Sequence, residues 1–431
     1  MLKYSGYKGN SLKFLKTNQV LVGDSVKILA DIPYSGIIMP RYEHNDDKHI
    51  VLKLKSGYNI GIELEKIKSI EKISNHENKI EMKLKSIKNN PEMPQILLLS
   101  TGGTIASKID YRTGAVTPTL TAQDLNTSVP ELSKLANIEA KVLFSEYSEN
   151  IMPRHWLEIA EKIKEYSESK KYDGIIIAHG TDTMHYTSSF LSFSLAGYPI
   201  PIALVGSQRS SDRASSDAAL NLIGATKFLV ECKTNGIYVV MHQDENDETI
   251  SCHIGTRVRK NHTSKRGAFE TVGDNPAFIV VNNKIHKNMK KDFFSIKEFQ
   301  PKIKLNEKVA LVKYHPGYNS NLLKTIIEIG YKAIIFEGTG LGHIGESMYE
   351  MVKMAHEKGI FMGMTSQCID GRIRMTVYEN GRDLLNLGII PLENMIPEVA
   401  LVKAMWATGN TENYHEIKEI MLNKIASEFS T

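Results

Sequence analysis

Two rhythms of apolar residues divide the chain near residue 95. Between residues 18 and 73, the β-branched runs "SVKILAD", "SGIIMPRY", "HIVLKLK" and "YNIGIELE" are separated by turn signals at Ile32–Pro33, Asn45–Asp46–Asp47 and Ser56–Gly57–Tyr58–Asn59. Four or five strands in so short a stretch predict a small β-barrel. Asp24, in "VGDSV", marks a turn ahead of the first run. Residues 74–94 are polar with two late prolines and read as a linker. Beyond them, apolar strands alternate with helical stretches: "QILLLS", the helix "RHWLEIAEKIKEYSES", "GIIIAHG", "IPIALVG", the helix "NLIGATKFLVEC" and "GIYVVMH". This alternation predicts a parallel sheet with crossover helices. A second α/β lobe opens near residue 306 with "KVALVKYHPGY" and "AIIFEGTGLGH", then the helix "GESMYEMVKMAHEKG" and the strand "IFMGMTS". In "ENYHEIKEIMLNKIASEF", Tyr414, Ile417, Met421, Ile425 and Phe429 fall close to helical spacing and predict a packing helix. The expected organisation is a small β-barrel over 1–73, a linker over 74–94, and two α/β lobes over 95–300 and 301–431.

Composition narrows the class of protein. The 431 residues are 42% hydrophobic and 24% charged, as in a globular chain. No apolar run approaches the length of a membrane span, and the N-terminus "MLKYSGYKGNSLKFLK" has no secretory core, so a cytoplasmic chain is expected. Cys232, Cys252 and Cys368 are scattered without C-x-x-C spacing, which argues against a disulfide framework or a zinc site. The 14 histidines show no H-E-x-x-H pairing, so no metal is expected. Net charge is only +4, but residues 1–92 carry 16 Lys and Arg against 11 Asp and Glu, which leaves the remainder near neutral. Such a segment suits either an acidic partner or a solvated lysine-rich surface.

The candidate chemistry lies where strands end. Ser100–Thr104, His179–Thr183 and Gly206–Arg213 are polar loops that follow apolar strands, the position where open α/β sheets bind ligands. In "ILLLSTGGTIASKID", Gly102 and Gly103 lie between Thr101 and Thr104, a pattern that is neither G-x-G-x-x-G nor G-x-x-x-x-G-K-[ST]. A hydroxyl nucleophile needs a neighbour to take its proton and donors to hold an oxyanion. Thr104 after the glycine hinge, Thr181 beside Asp182 in "HGTDT", Lys260 in "GTRVRKNHTSKRGAF" and Tyr111 in "DYRTG" supply the residue types. Each alone has a plainer reading: a turn, a helix N-cap, a surface lysine, a packed ring. Their order and their placement at strand ends favour the joint reading.

"TGGTIAS" followed by "HGTDT" resembles the L-asparaginase/glutaminase amidohydrolases over roughly residues 94–410. The resemblance implies a two-lobed asparaginase-like α/β body. It puts the acyl-accepting nucleophile on Thr104, the Thr-Asp pair on Thr181 and Asp182, the charge-relay lysine on Lys260 and the assisting loop tyrosine on Tyr111. It also implies that Ser148 and Glu149 in "YSENIMP", with Gly103, hold the substrate, Glu149 taking the ammonium end. The versions "GSQRSSDRASSDAALNL", "HIGTRVRKNHTSKRGAF" and "EGTGLGH", together with the basic strand domain, are similar to the GatD chains of the archaeal-type glutamyl-tRNA(Gln) amidotransferases. Ala214 stands where that family usually has proline. Membership would imply a carbon–nitrogen ligase with glutamine as amido donor, this chain being its glutaminase component. It would further imply a separate partner, GatE, that activates Glu-tRNA(Gln) with ATP and Mg2+, and a heterotetramer with two copies of each chain. No cofactor is expected in this chain.

Two other readings remain open at this point: a free-standing L-asparaginase with an extra domain, and a non-catalytic tRNA- or protein-binding scaffold. Arg257, Arg259, Lys265 and Arg266 suit a patch facing a partner or tRNA, or equally a solvated loop near the site. "EGTGLGH" suits a loop at a lobe interface better than a nucleotide site.

Overall fold

The computed structural model describes residues 4, 6–41, 46–54, 59–74, 90–103, 107–110, 115–118, 129–209, 216–232, 234–282, 284–288 and 298–430. Five antiparallel strands occupy the N-terminal region: β1 (Ser25–Leu29), β2 (Pro33–Ile38), β3 (His49–Leu54), β4 (Asn59–Glu63) and β5 (Ser69–Ser74), in the order β4-β3-β2-β1-β5. The strand period of two sends Val26, Ile28, Ile38, Ile50, Leu52 and Ile62 to one buried face, which the helix Gly9–Thr17 joins through Leu15. Asp24 is buried before β1. Its carboxylate accepts the Leu21 N–H at 2.8 Å and pairs with Lys72 of β5 at 2.7 Å, so the turn expected there also fastens the last strand. Most of the expected linker, and the nucleophile candidate Thr104 with Tyr111 and Ala214, lie outside the described residues.

The larger body is built on β6 (Gln95–Gly102), β7 (Ser107–Asp110), β8 (Ala115–Pro118), β9 (Asn137–Glu146), β10 (Gly174–Ala178), β11 (Pro201–Val205), β12 (Gly236–His242), β13 (Thr249–Ile254), β14 (Val258–Lys260), β15 (Phe269–Thr271), β16 (Phe278–Val281) and β17 (Lys284–Lys287). Eight of these form a sheet in the order β17-β16-β13-β12-β11-β10-β6-β9. It is parallel from β12 to β9 and antiparallel from β12 to β17. Central strands of a parallel sheet are buried on both faces, which explains the unbroken apolar runs. Leu97, Leu99, Ile175 and Ile177 face one core; Ile96, Leu98, Ile176 and Ala178 face the other. The helix Pro153–Ser167 brings Trp156, Ile159, Ala160 and Ile163 to the first core on a single stripe, and Ala218–Glu231 covers the second.

A second sheet, β18 (Val309–Lys313), β19 (Ala333–Gly338), β20 (Phe361–Ser366) and β21 (Ile390–Pro391), is parallel throughout, in chain order. The helix Pro397–Asn410 lies between the two lobes and packs on both the helix Met184–Ser194 and β19. The expected C-terminal helix is shorter than its apolar spacing suggests. It runs from Tyr414 to Leu422, and the chain then turns. The Glu428 carboxylate accepts the N–H groups of Ile425 and Ala426, so those donors bond a side chain rather than a further helical turn.

Candidate active site

Three loops meet at the carboxyl ends of β6, β9 and β10. Thr101, at the end of β6, donates its hydroxyl to the Ala178 carbonyl at 2.9 Å and ties the ends of β6 and β10 together. Gly103 has a φ of +80°, and a Cβ there would stand 2.6 Å from the Gly180 nitrogen. A Cβ on Gly180 would stand 2.7 Å from the Ser148 Cβ. Both glycines are therefore required by close backbone approach.

From the other side comes Lys260, the last residue of the short strand β14. Its ammonium donates to the Thr181 hydroxyl at 2.8 Å and the Asp182 carboxylate at 2.6 Å. The lysine side chain is only 9% exposed, while that of Asp182 is 64% exposed, so a nearly buried cation meets an anion open to the cavity. Ser148 is buried, with its hydroxyl 3.5 Å from the second Asp182 oxygen. Its carbonyl accepts the Thr183 hydroxyl at 2.6 Å. Gly103, Ser148, Glu149, Gly180, Thr181, Asp182 and Lys260 all line one cavity of about 440 Å³. That size suits a small molecule.

The floor beneath Thr181 is rigid and uncharged. His179 is fully buried, its Nδ1 2.6 Å from the Gly180 carbonyl and its Nε2 2.9 Å from the Thr187 hydroxyl. A carbonyl can only accept, so Nδ1 carries the proton and Thr187 donates to Nε2. Burial pushes the His179 pKa down to about 4. His185 is also pushed down to about 4, by burial first and then by the positive charges of Arg259 and Lys260. Both rings are neutral at pH 7, which leaves Lys260 as the cation of the Thr181–Asp182 cluster.

The structure thus brings six of the eight expected site residues onto one cavity: Gly103, Ser148, Glu149, Thr181, Asp182 and Lys260. Thr104 and Tyr111 lie outside the described residues, Thr104 following Gly103 directly. The reading of the cationic loop needs correction. Arg257 is buried among the C-terminal residues. Arg259 pairs with Glu398 at 3.0 Å, and Arg266 is held by Asp247. Of the four, Lys265 alone retains substantial exposure, 3.8 Å from Glu270, so these residues do not form one surface patch. Ser207, Gln208, Tyr147 and Thr263 also line the cavity, and the sequence does not single them out. Ser207 and Gln208 belong to a loop marked by its place at a strand end, but nothing in the local pattern distinguishes them within it.

The buried carboxylate of Asp217 holds that loop, accepting the Gln208 and Arg209 N–H groups at 3.0 and 2.9 Å. Asn221 donates to Asp217 and to the Gly206 carbonyl, and its own oxygen meets His242 Nδ1 at 2.6 Å.

Residues 95–293 match the family described as "Asparaginase, N-terminal", and 308–421 the "Glutaminase/Asparaginase C-terminal domain". Residues 20–73 match the "GatD N-terminal domain". Among solved structures, the chain is similar to the thermostable L-asparaginase from Thermococcus kodakarensis, with a TM-score of 0.71 and 32% identity over 78% of this chain and 99% of that one. It is also similar to L-asparaginase I from Vibrio cholerae, with a TM-score of 0.69 and 25% identity over 79% of this chain and 100% of that one. Fold and cavity together define a protein with an asparaginase-type amidohydrolase body. The N-terminal sheet sets it apart from those structures, and two relatives that match it over nearly their whole length share one name. The glutamyl-tRNA(Gln) amidotransferase GatD chain from Pyrococcus abyssi is 44% identical over 97% of both chains, and that from a strain of Methanococcus maripaludis is 48% identical over 95% of this chain and 98% of the other. The chain belongs to the GatD family of glutamyl-tRNA(Gln) amidotransferase subunits.

Proposed function

We propose that this chain is the glutaminase of a tRNA-dependent amidotransferase and works through a threonine acyl-enzyme. The observation that carries the reading is Lys260 bridging Thr181 and Asp182 on the same cavity wall as Gly103. In this reading the Thr104 oxygen attacks the side-chain amide carbon of glutamine. Its proton passes to the leaving nitrogen with help from the Tyr111 and Thr181 hydroxyls. The C–N bond breaks, ammonia leaves, and a glutamyl ester remains on Thr104. Water then hydrolyses the ester through the same groups, releasing glutamate and restoring the hydroxyl. Lys260 holds charge beside Thr181 as the proton moves. Ser148 and Glu149 hold the α-amino and α-carboxylate end, the acidic side chain taking the ammonium.

The ammonia serves a partner, GatE, which uses ATP and Mg2+ to convert Glu-tRNA(Gln) to Gln-tRNA(Gln). This chain needs no cofactor, and two copies of each partner assemble in the cytoplasm. Membership of the GatD family, with its N-terminal sheet, supports this over a free-standing asparaginase. No described helix is long and apolar enough to cross a membrane.

The test is ammonia release from glutamine by the full chain, read beside trapping of a mass-shifted acyl-enzyme. Gln-tRNA(Gln) formation is then assayed with the co-purified partner, ATP and Mg2+. Hydrolysis of asparagine with no amidation under any condition would move the case to the free-standing asparaginase.

A further inference from the structure

Lys260 does its work from a strand of three residues, β14, whose ladder partner is the equally short β15. So brief a hairpin holds a side chain poorly by itself. What steadies it lies far away in sequence. Thr256 donates its hydroxyl to the Ala426 carbonyl at 2.6 Å. Arg257, 4% exposed, reaches the Ser430 hydroxyl at 3.2 Å and the Glu428 carbonyl at 3.5 Å. Among the described residues no carboxylate stands at ion-pair distance from it; the buried guanidinium is hydrogen-bonded by neutral groups, two on the C-terminal segment and the Asn394 carbonyl at 3.5 Å, with the Asp274 and Glu428 charges acting from further off. Its main chain meanwhile accepts the Val272 N–H at 2.8 Å and launches the hairpin that carries Lys260.

The C-terminal segment is itself locked. Lys403 and Glu428 form an ion pair with both side chains fully buried. The lysine also donates to the Asn423 carbonyl at 2.7 Å, and the Glu428 carboxylate takes two backbone N–H groups. A buried pair is expensive to desolvate and is held well only when its remaining hydrogen bonds are satisfied, as they are here. The arrangement places a rigid block behind Arg257, three residues before Lys260.

We propose that Arg257 is a positioning residue for Lys260, through which the C-terminal segment sets the reach of the lysine to Thr181 and Asp182. The proposal rests on the catalytic role for Lys260 given above. A displacement of about 1 Å in such a group costs on the order of a hundredfold in rate.

The experiment is a double-mutant cycle on ammonia release by the full chain, with melting temperatures measured alongside. Arg257→Gln is expected to lower kcat at least tenfold with KM within about twofold of wild type. In the Lys260→Met background the same substitution is expected to cost less than twofold more, because the side chain it positions has gone. Arg257→Lys, which keeps charge and part of the reach, is expected to recover at least a third of wild-type kcat. Should Arg257→Gln not fold, Ser430→Ala replaces it in the cycle, with a threefold loss of kcat expected in wild type and none in Lys260→Met. Multiplying losses in the double variant, a defect confined to KM, or a Ser430→Ala chain with full kcat would overturn the proposal. A Lys260→Met chain with wild-type kcat would instead overturn the role of Lys260 itself.

Discussion

Parallel strands in the eight-stranded and the four-stranded sheets of this molecule end in glycine-containing loops, and the two sets of loops are built differently. In the eight-stranded sheet, the loops after β6, β9 and β10 leave Thr181, Asp182 and Ser148 facing an open space, with Lys260 reaching in from β14. In the four-stranded sheet, "EGTGLGH" closes on itself. Thr339 bridges His343, the Ser366 hydroxyl caps the Gly340 carbonyl at 2.7 Å, and the Gln367 amide donates to the carbonyls of Tyr314 and Glu337. Glycine after a parallel strand therefore marks close packing first. It marks chemistry only where polar side chains at the strand ends are left facing a space.

The sharpest way to break the contrast is at the proposed nucleophile, Thr104. Thr104→Val is expected to lower glutamine hydrolysis by more than about a thousandfold, a barrier increase of roughly 4 kcal/mol, while circular dichroism stays native. More than a tenth of wild-type turnover remaining would remove Thr104 from that role. Next in size is Lys260→Met. Its charge matters most as the proton moves, so kcat is expected to fall about a hundredfold with a smaller rise in KM. Full steady-state curves read the two apart, and a pure KM defect would reassign Lys260 to substrate binding.

The neutral floor makes a third test. His179 and His185 are held near pKa 4 against an ordinary 6.5, so the unfolded chain binds more protons than the native one between those values. Their contribution is full above pH 6.5 and is lost as pH falls toward 4. Calorimetry at pH 7 and pH 5 is expected to show a drop in stability on the order of 1–2 kcal/mol per histidine. A doubly substituted His179→Gln, His185→Gln chain is expected to show a shallower drop, and an identical pH slope would count against the burial argument. The smallest effect belongs to the closed loops. Gln367→Ala removes the side-chain donor from the Tyr314 carbonyl and one of two donors from the Glu337 carbonyl, which keeps the Tyr314 N–H, and is expected to cost about 1 kcal/mol of stability, with kcat within twofold. A tenfold loss of turnover there would mean that the second lobe's loops also serve the chemistry.

Period and burial explain what can be read in advance. The apolar runs at 96–99, 174–178 and 201–205 have one solution, a central parallel strand, and the polar residues that follow each run mark the cavity side. The helix Pro397–Asn410 is not legible because it is buried on nearly every side and shows no amphipathic stripe. The antiparallel strands β13, β16 and β17 follow no helix, so the alternating rhythm does not announce them. Arg257 reads as surface because arginine usually is, and its burial depends on residues more than 130 positions away. The Thr181, Asp182 and Lys260 set is legible only jointly, since a threonine, an aspartate and a lysine each have commoner uses.

The bond between Thr256 and Ala426 spans 170 positions, and it has a consequence in time. During synthesis the strands of the first lobe leave the ribosome long before residues 426–430. The eight-stranded sheet can assemble while the chain is still growing, because its pairings close within the first lobe. The anchorage of the hairpin that carries Lys260 cannot, because its far end has not yet been made. Complete support for the charged cluster therefore arrives only once residues 426–430 have been made, and a chain that stops before them carries the lobe without that support.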